Sequence, residues 1–386
     1  MRSDAYEKAG ISYADMDPFK LAAQRAAAQT IHPARLRQRF GIETAEWSRG
    51  ESAFLFQLTP LARLLQLVGL TNTMQALVIE GLGTKSLVAD DMERELGKDF
   101  YDRIAQCTLA MVVNDLITVG ALPTIAAMHL AAGDSAWFKN EPRWQALING
   151  WRHACELAGC VWGPGETPTL KDIVFPNTVE LSGAAVGIVR KPSHVIRWEN
   201  ICHGDVIVIF RSSGIHANGL TLARKIAGKL PRGYLTLLPF GHTYGEALLA
   251  PTKIYVRLIE MLQDRGISIR YAVNVTGHGW RKLMRAPAPW SYVIEQIPEP
   301  HPVFEFIRTH NPDGTEPISD TDMYGNLNMG AGFAIYIRPQ DVQKVLTAAA
   351  ECGIEALQAG HVEKGPKCVV IKPKNLIFNA DTLQVR

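Results

Sequence analysis

The sequence predicts a two-domain protein of mixed α/β class, and three observations carry that prediction. Apolar, β-branched segments recur along the chain, several end in a small-residue turn, and amphipathic or wholly apolar helical segments lie between them. The chain has 386 residues, 47% of them hydrophobic, enough for a large core and more than one domain. The pattern breaks at Lys191-Pro192, dividing the chain into an amino-terminal arm (1–45), a first domain (46–191) and a second (192–386).

Composition removes several functional classes. Forty basic residues stand against thirty-eight acidic ones, with no basic block long enough to neutralise a run of phosphates, so nucleic acid is not an expected partner. The six cysteines are scattered with no Cys-x-x-Cys pair, which points to neither a zinc site nor a disulfide framework and fits reduced thiols in a cytoplasm. Met1–Lys8 carries acidic residues and no apolar core, unlike a secretory signal. No apolar run approaches the roughly eighteen residues needed to span a bilayer, so a soluble cytoplasmic protein with no membrane partner is expected.

Taken in order, Pro18–Arg39 is rich in Ala, Gln and Arg and predicts a helical or extended arm. In Pro60–Leu70, Leu61, Leu64, Leu65 and Val68 recur at helical spacing, with Gly69 as a stop. Met74–Ile79 predicts a strand that delivers the turn Glu80-Gly81-Leu82-Gly83-Thr84-Lys85. Glycines there permit close backbone approach to an anion, although a short Gly-x-Gly is equally a tight turn, and the spacing is not that of a P-loop. Asp99–Val119 predicts a long helix, apolar on nearly every face around Met111–Val113 and therefore buried. Asn114 and Asp115 interrupt it. A buried carboxylate without a partner costs several kcal/mol, so Asp115 requires a cation, a donor network or a metal ion.

Thr124–Leu130 predicts a strand, Arg143–Ala158 a helix, Gly159–Thr167 a short strand with Glu166 at its lip, and Glu180–Val189 a further strand. In the second half, the strand Val206–Phe210, the turn Ser212–Gly219 and the helix Leu220–Ile226 form a geometry whose backbone N–H groups bind anions, with His216 and Asn218 on the turn. Leu248–Leu262 predicts an amphipathic helix starting near Pro251, and Ile267–Val275 a strand leading to Thr276-Gly277-His278-Gly279. Pro287–Pro302 reads as loop with one short strand, Phe333–Ile337 as a strand, Pro339–Cys352 as a helix, and Ala359–Lys372 as strand. Three carboxylates, Glu80, Asp115 and Glu166, have no matching Cys or His cluster, and oxygen-only ligands suit Mg²⁺ bridging phosphate oxygens. The residues by themselves point to an enzyme handling Mg²⁺ with a nucleotide or phosphate.

In their order, these turns resemble the aminoimidazole ribonucleotide (AIR) synthetase family, the phosphoribosylformylglycinamidine cyclo-ligases. Ser12-Tyr13-Ala14-Asp15 is similar to the family's Ser-Tyr-x-Asp-Ala-Gly, Glu80–Lys85 to Asp-Gly-Val-Gly-Thr-Lys, and Met111–Asp115 with Gly120-Ala121-x-Pro123 to Met-x-Val-Asn-Asp…Gly-Ala-x-Pro. Gly165-Glu166-Thr167 looks like Gly-Gly-Glu-Thr, and Ser212–Gly219 like Ser-Ser-Gly-x-His-Ser-Asn-Gly. Leu249–Val256 is similar to Leu-Leu-x-Pro-Thr-Arg-Ile-Tyr-Val, and Asn328–Gly332 to Asn-Met-Gly-Val-Gly. The resemblance implies a first domain lending strands to a barrel shared in a homodimer and a second domain built as an α/β sandwich. It implies ATP and Mg²⁺ as cofactors and a ribonucleotide as substrate. Gly81, Gly83, Thr84, Lys85, Asn114 and Asn218 stand in nucleotide-binding places, and Glu80, Asp115 and Glu166 where nucleotide and metal meet. His216, Asp115, Asn274 and His278 stand as catalytic candidates. The chain departs from the family at Glu80, which replaces an aspartate. Asn274 and His278 replace a histidine and a glycine, so another phosphoryl acceptor, or nucleotide binding without turnover, is the competing expectation.

Overall fold

The computed structural model describes residues 42–58, 74–239, 241–314 and 316–383, with scattered helical positions between 21 and 28 and at 64. The Ser12–Asp15 motif, most of the arm and the helix expected over Pro60–Leu70 lie outside the described residues.

Two sheets organise the chain. The first contains β1 (Ile42–Thr44), β2 (Phe54–Leu58), β3 (Met74–Gly81), β4 (Leu122–Ala132), β5 (Val161–Glu166) and β6 (Val179–Val189), in the order β1-β2-β3-β6-β4-β5. Its pairs are antiparallel except β4 with β5. Helices α1 (Lys85–Leu96), α2 (Tyr101–Ile117) and α3 (Glu141–Ala158) belong to this half, and α3 makes the crossover that a parallel pair requires. In β6 every second residue from Val179 to Val189 is buried and the residues between are half-exposed, the period of a sheet covered on one face only. The α2 helix is buried without a break from Cys107 to Ile117, because it lies between the first sheet and the second half of the chain. Its approach to α3 is close enough that a Cβ on Gly150 would stand 2.4 Å from the Asp102 carbonyl oxygen.

The second sheet contains β7 (Val206–Arg211), β8 (Ile269–Asn274), β9 (Trp290–Ile294), β10 (Ala331–Ile337), β11 (Ala356–Lys364), β12 (Cys368–Ile371) and β13 (Leu376–Asn379), in the order β13-β12-β9-β11-β7-β10-β8. Among its pairs β9 and β12 run parallel. The helices of this half are α4 (Leu220–Ala227), α5 (Tyr244–Leu248), α6 (Val256–Asp264), α7 (Pro302–Thr309), α8 (Asp320–Asn326) and α9 (Val342–Glu351). Strand β10 is buried at every position, as its unbroken apolar sequence requires.

One expected element is corrected in a way that matters for the site. The helix read over Leu248–Leu262 forms only from Val256. The carbonyls of Ala250, Pro251, Thr252 and Lys253, which a helix would use internally, accept instead from Lys85, Ser213, Gln106 and Asn114. Three of those four donors come from the first half of the chain, so the irregular stretch is where the two halves are bonded together. Helices α1, α7 and α8 were not expected from the sequence. Among the described residues no helix is long and apolar enough to cross a membrane.

Candidate active site

The glycine turn ends β3 and starts α1. Glu80 lies on the strand itself, and Gly83 takes φ +75°, a left-handed conformation that favours glycine. Thr84 precedes α1 without a side-chain cap bond, so no cap from it satisfies the first amides of this twelve-residue helix. A helix start of that kind attracts an anion. Lys85, expected beside the nucleotide, points the other way. It is fully buried, and its Nζ donates to the carbonyl oxygens of His216 (2.7 Å) and Ala250 (2.8 Å). Burial lowers its pKa, and the two carbonyls solvate the ammonium in place of water.

Asn114 has a similar part, donating to the Lys253 carbonyl (2.8 Å) and accepting from the Tyr255 amide (3.0 Å). Asp115, its neighbour on α2, faces Asn274 and Glu80. Its Oδ1 accepts from Asn274 Nδ2 at 2.7 Å, and it is hydrogen-bonded to Glu80. Burial first, and the Asp115 charge second, push the Glu80 carboxyl up to about 7, with Lys282 and Arg285 opposing the rise. Lys282 also donates to Thr276, and Arg285 donates to the Gly50 carbonyl (3.0 Å) and to Ser52. Neither cation was singled out in the sequence. The only signal was their place just after the glycine turn at Thr276–Gly279.

Two carboxylates so close that one retains a proton near neutrality, with only oxygen donors between them, form a set that suits Mg²⁺. Glu166 does not join them. Glu80 lies one residue before Gly81, and Gly81 is three strand spacings from Glu166 in register, about 14 Å away. The Glu166 carboxylate is exposed and accepts from the amide of Thr167. Among the described residues no group of three His, Cys, Asp or Glu side chains is placed to hold one metal ion, so the expected trio reduces to a pair within one chain.

This pair has a measurable consequence. A carboxyl whose folded pKa is raised favours the folded state below its ordinary value near 4.5 and loses that contribution as pH rises through 7. The metal-free protein should therefore lose about 2–3 kcal/mol from this group between pH 5 and 8. Mg²⁺ should restore much of it, raising the melting temperature more at pH 8 than at pH 5.5. Equal increments at both values would remove Glu80 from the cation site.

The second wall is the Ser212–Gly219 turn. His216 adopts φ +59° and is buried, and its Nε2 accepts the Ser213 amide at 3.1 Å. Burial, with Lys85 next, lowers its pKa to about 3. The imidazole is thus neutral and holds the turn from behind, where the sequence had placed it against a ligand. Asn328 braces the same turn, accepting from Ser212 Oγ (3.0 Å) and donating to the Gly214 carbonyl (2.9 Å). Asn218 is different. Its Nδ2 is buried with no hydrogen-bond partner among the described residues, a donor left available on the turn. His278 takes φ +66° and starts the short 3₁₀ segment Gly279–Met284 that presents Lys282.

Comparisons with known proteins match both halves of the chain. Residues 65–189 match the AIR synthase related protein N-terminal domain, and residues 203–372 match the C-terminal domain. The phosphoribosylformylglycinamidine cyclo-ligase of Methanocaldococcus jannaschii is 35% identical over 286 residues, covering 73% of this chain and 76% of that one. Among solved structures, the HypE–HypF complex superposes with a TM-score of 0.57 at 15% identity, covering 80% of this chain and 90% of that one. The AaThiL structure complexed with AMPPCP and TMP superposes with a TM-score of 0.52 at 15% identity, covering 79% of this chain and 85% of that one. At those identities the structural matches establish the fold.

Proposed function

The chain belongs to the AIR synthase related protein family, and from that premise we propose that it is an ATP-dependent phosphoribosylformylglycinamidine cyclo-ligase. The observation that carries the reading is the Glu80–Asp115 pair beside an uncapped helix start, a place for a cation and the phosphates it accompanies. An ATP analogue, AMPPCP, in the AaThiL complex supports the nucleotide.

In this reading the ATP γ-phosphate passes to the amide oxygen of formylglycinamidine ribonucleotide. An amidine nitrogen then attacks the same carbon, phosphate leaves, and the imidazole ring closes. Phosphorylation converts a poor oxygen leaving group into a good one, and the protein contributes mainly position and charge. Glu80 and Asp115 would hold Mg²⁺, which when bound neutralises phosphate oxygens. Gly81, Gly83 and Thr84 would bring the α1 amides to the phosphates, and Asn218 would donate from the opposite wall. Lys85, Asn114 and His216 would keep the two walls at a fixed separation. Purified protein given Mg²⁺, ATP and formylglycinamidine ribonucleotide should release ADP and aminoimidazole ribonucleotide in equal amounts. ATP binding with no turnover of that substrate would move the assignment to another phosphoryl acceptor.

The open face of the first sheet supports a homodimer. Leu77, Ile79, Ile125 and Val161 are 50%, 77%, 48% and 64% exposed there; Leu77 on β3 and Ile125 on β4 both pair with Val186 of the intervening β6, and Ile125 pairs with Val161 on β5. A contiguous apolar patch of this kind marks an interface, and a second copy meeting it face to face would complete a barrel. Ile79→Asp should give monomers by sedimentation at concentrations where the parent protein is dimeric. A parent protein that sediments as a monomer would overturn the dimer.

A further inference from the structure

The way α3 ends brings two of the six thiols together. Gly159 takes φ +66°, its amide donates to the Glu156 carbonyl (3.2 Å), and the Cys160 amide donates to the Cys155 carbonyl (3.0 Å). These two bonds define a Schellman turn, which folds the residue after the glycine back onto the last turn of the helix. An apolar pair commonly fills the two positions that meet there. Here both are cysteines, and their thiols are hydrogen-bonded to each other. Other thiols meet oxygen or nitrogen instead: Cys107 Sγ accepts from the Thr252 amide (3.3 Å), Cys202 donates to the Asn200 carbonyl (3.5 Å), and Cys368 donates to Ser291 Oγ (3.6 Å).

We infer that Cys155 and Cys160 form a reversible oxidation site, at which a small hydroperoxide converts the two thiols to a disulfide. The site is separate from the cyclo-ligase chemistry and does not depend on it. Cys160 is half-buried and reachable from solvent, whereas Cys155 is 4% exposed and shielded. That division makes Cys160 the attacking sulfur and Cys155 the resolving one. The thiolate is the nucleophile, and the hydrogen bond from Cys155 lowers the Cys160 pKa against the opposing effect of burial. A Cβ built on Gly159 meets nothing within 4 Å, so the turn is unpacked and can take up the small shift that an S–S bond of about 2 Å requires. Cys160 meets α3, as does Trp162, whose ring lies 6.2 Å from that of Trp151. The pair therefore stands on the covered side of the sheet, away from the open face that carries Val161.

The step balances. The Cys160 thiolate attacks one peroxide oxygen, the O–O bond breaks, and its electron pair leaves on the other oxygen, which takes a proton from solvent. Cys160 is then a sulfenic acid. The Cys155 sulfur gives its proton to solvent and attacks the Cys160 sulfur; the S–O bond breaks and hydroxide leaves, protonated to water. Two electrons pass from the thiols to the peroxide, and hydrogen peroxide yields two waters. A dithiol reductant reverses the change by thiol–disulfide exchange.

The tryptic peptide 153–171 contains both cysteines and no other, so mass spectrometry reads the site directly. The full-length reduced protein is exposed to hydrogen peroxide, then to iodoacetamide, and digested. The peptide should be lighter by two hydrogens and carry no alkyl group, at a peroxide dose that leaves Cys202, which is exposed, and Cys352 fully alkylated. Dithiothreitol should restore both thiols. Cys155→Ala should stop the reaction at the Cys160 sulfenic acid, trapped as its dimedone adduct. Alkylation of both cysteines in the treated parent protein would overturn the inference, and so would passage of Cys160 straight to the sulfinic acid. The parent measurement needs no variant, so a Cys155→Ala protein that fails to fold leaves the test intact.

Discussion

Lys85→Met should cost the protein about 3–5 kcal/mol of stability, measured by chemical denaturation, the scale seen when one partner of a buried charged interaction is removed. Methionine fills nearly the same volume but leaves the carbonyls of His216 and Ala250 buried without a donor. Those carbonyls belong to the second half of the chain and Lys85 to the first, so the loss should fall on the contact between the halves. Thermal unfolding should separate into two transitions where the parent protein shows one. A variant within about 1 kcal/mol of the parent, still unfolding in one step, would show that Lys85 does not join the halves.

Asp115→Asn should have the opposite signature, with stability gained and function lost. The amide can still accept from Asn274, and it gives Glu80 a donor in place of a like charge. The Glu80 carboxyl should then ionise at lower pH, and the variant should melt higher than the parent at pH 8 without Mg²⁺. Mg²⁺-dependent ATP binding should weaken by about tenfold, roughly 1.4 kcal/mol. Turnover should fall by about 100-fold, since an electrostatic contact to a transferring phosphoryl group is strongest in the transition state. Such pairs, costly to the free protein and useful to the loaded one, are where stability and activity trade against each other. Unchanged ATP affinity would remove Asp115 from the site.

How the remaining residues divide follows a physical pattern. Asp115 was legible because a carboxylate in a helix apolar on every side must have a partner, and the structure supplies Asn274 and Glu80. His216 was legible as an unusual residue, but not in its direction. A histidine on a glycine turn can face the ligand or the core, and only the packing around it, with Lys85 behind, keeps it neutral and inward. The irregular stretch before Val256 was illegible for a similar reason: its periodicity is helical, and the donors that take its carbonyls come from 139 to 165 residues away in three of the four cases. Lys282 and Arg285 gave no signal beyond their place after the Thr276–Gly279 turn, because isolated cations in sequence look like solvated surface.

Local chemistry in the chain was therefore enough to determine the class, most of the strands, the glycine turns and the carboxylates beside them, because hydrophobic period and glycine placement act over a few residues. The direction each polar side chain faces was decided by tertiary structure. Whether Lys85 meets a phosphate or a carbonyl, and whether Glu166 stands beside Glu80 or several strands away, depends on strand order and on which half supplies the donor. Those are long-range pairings, and no short window of sequence contains both partners.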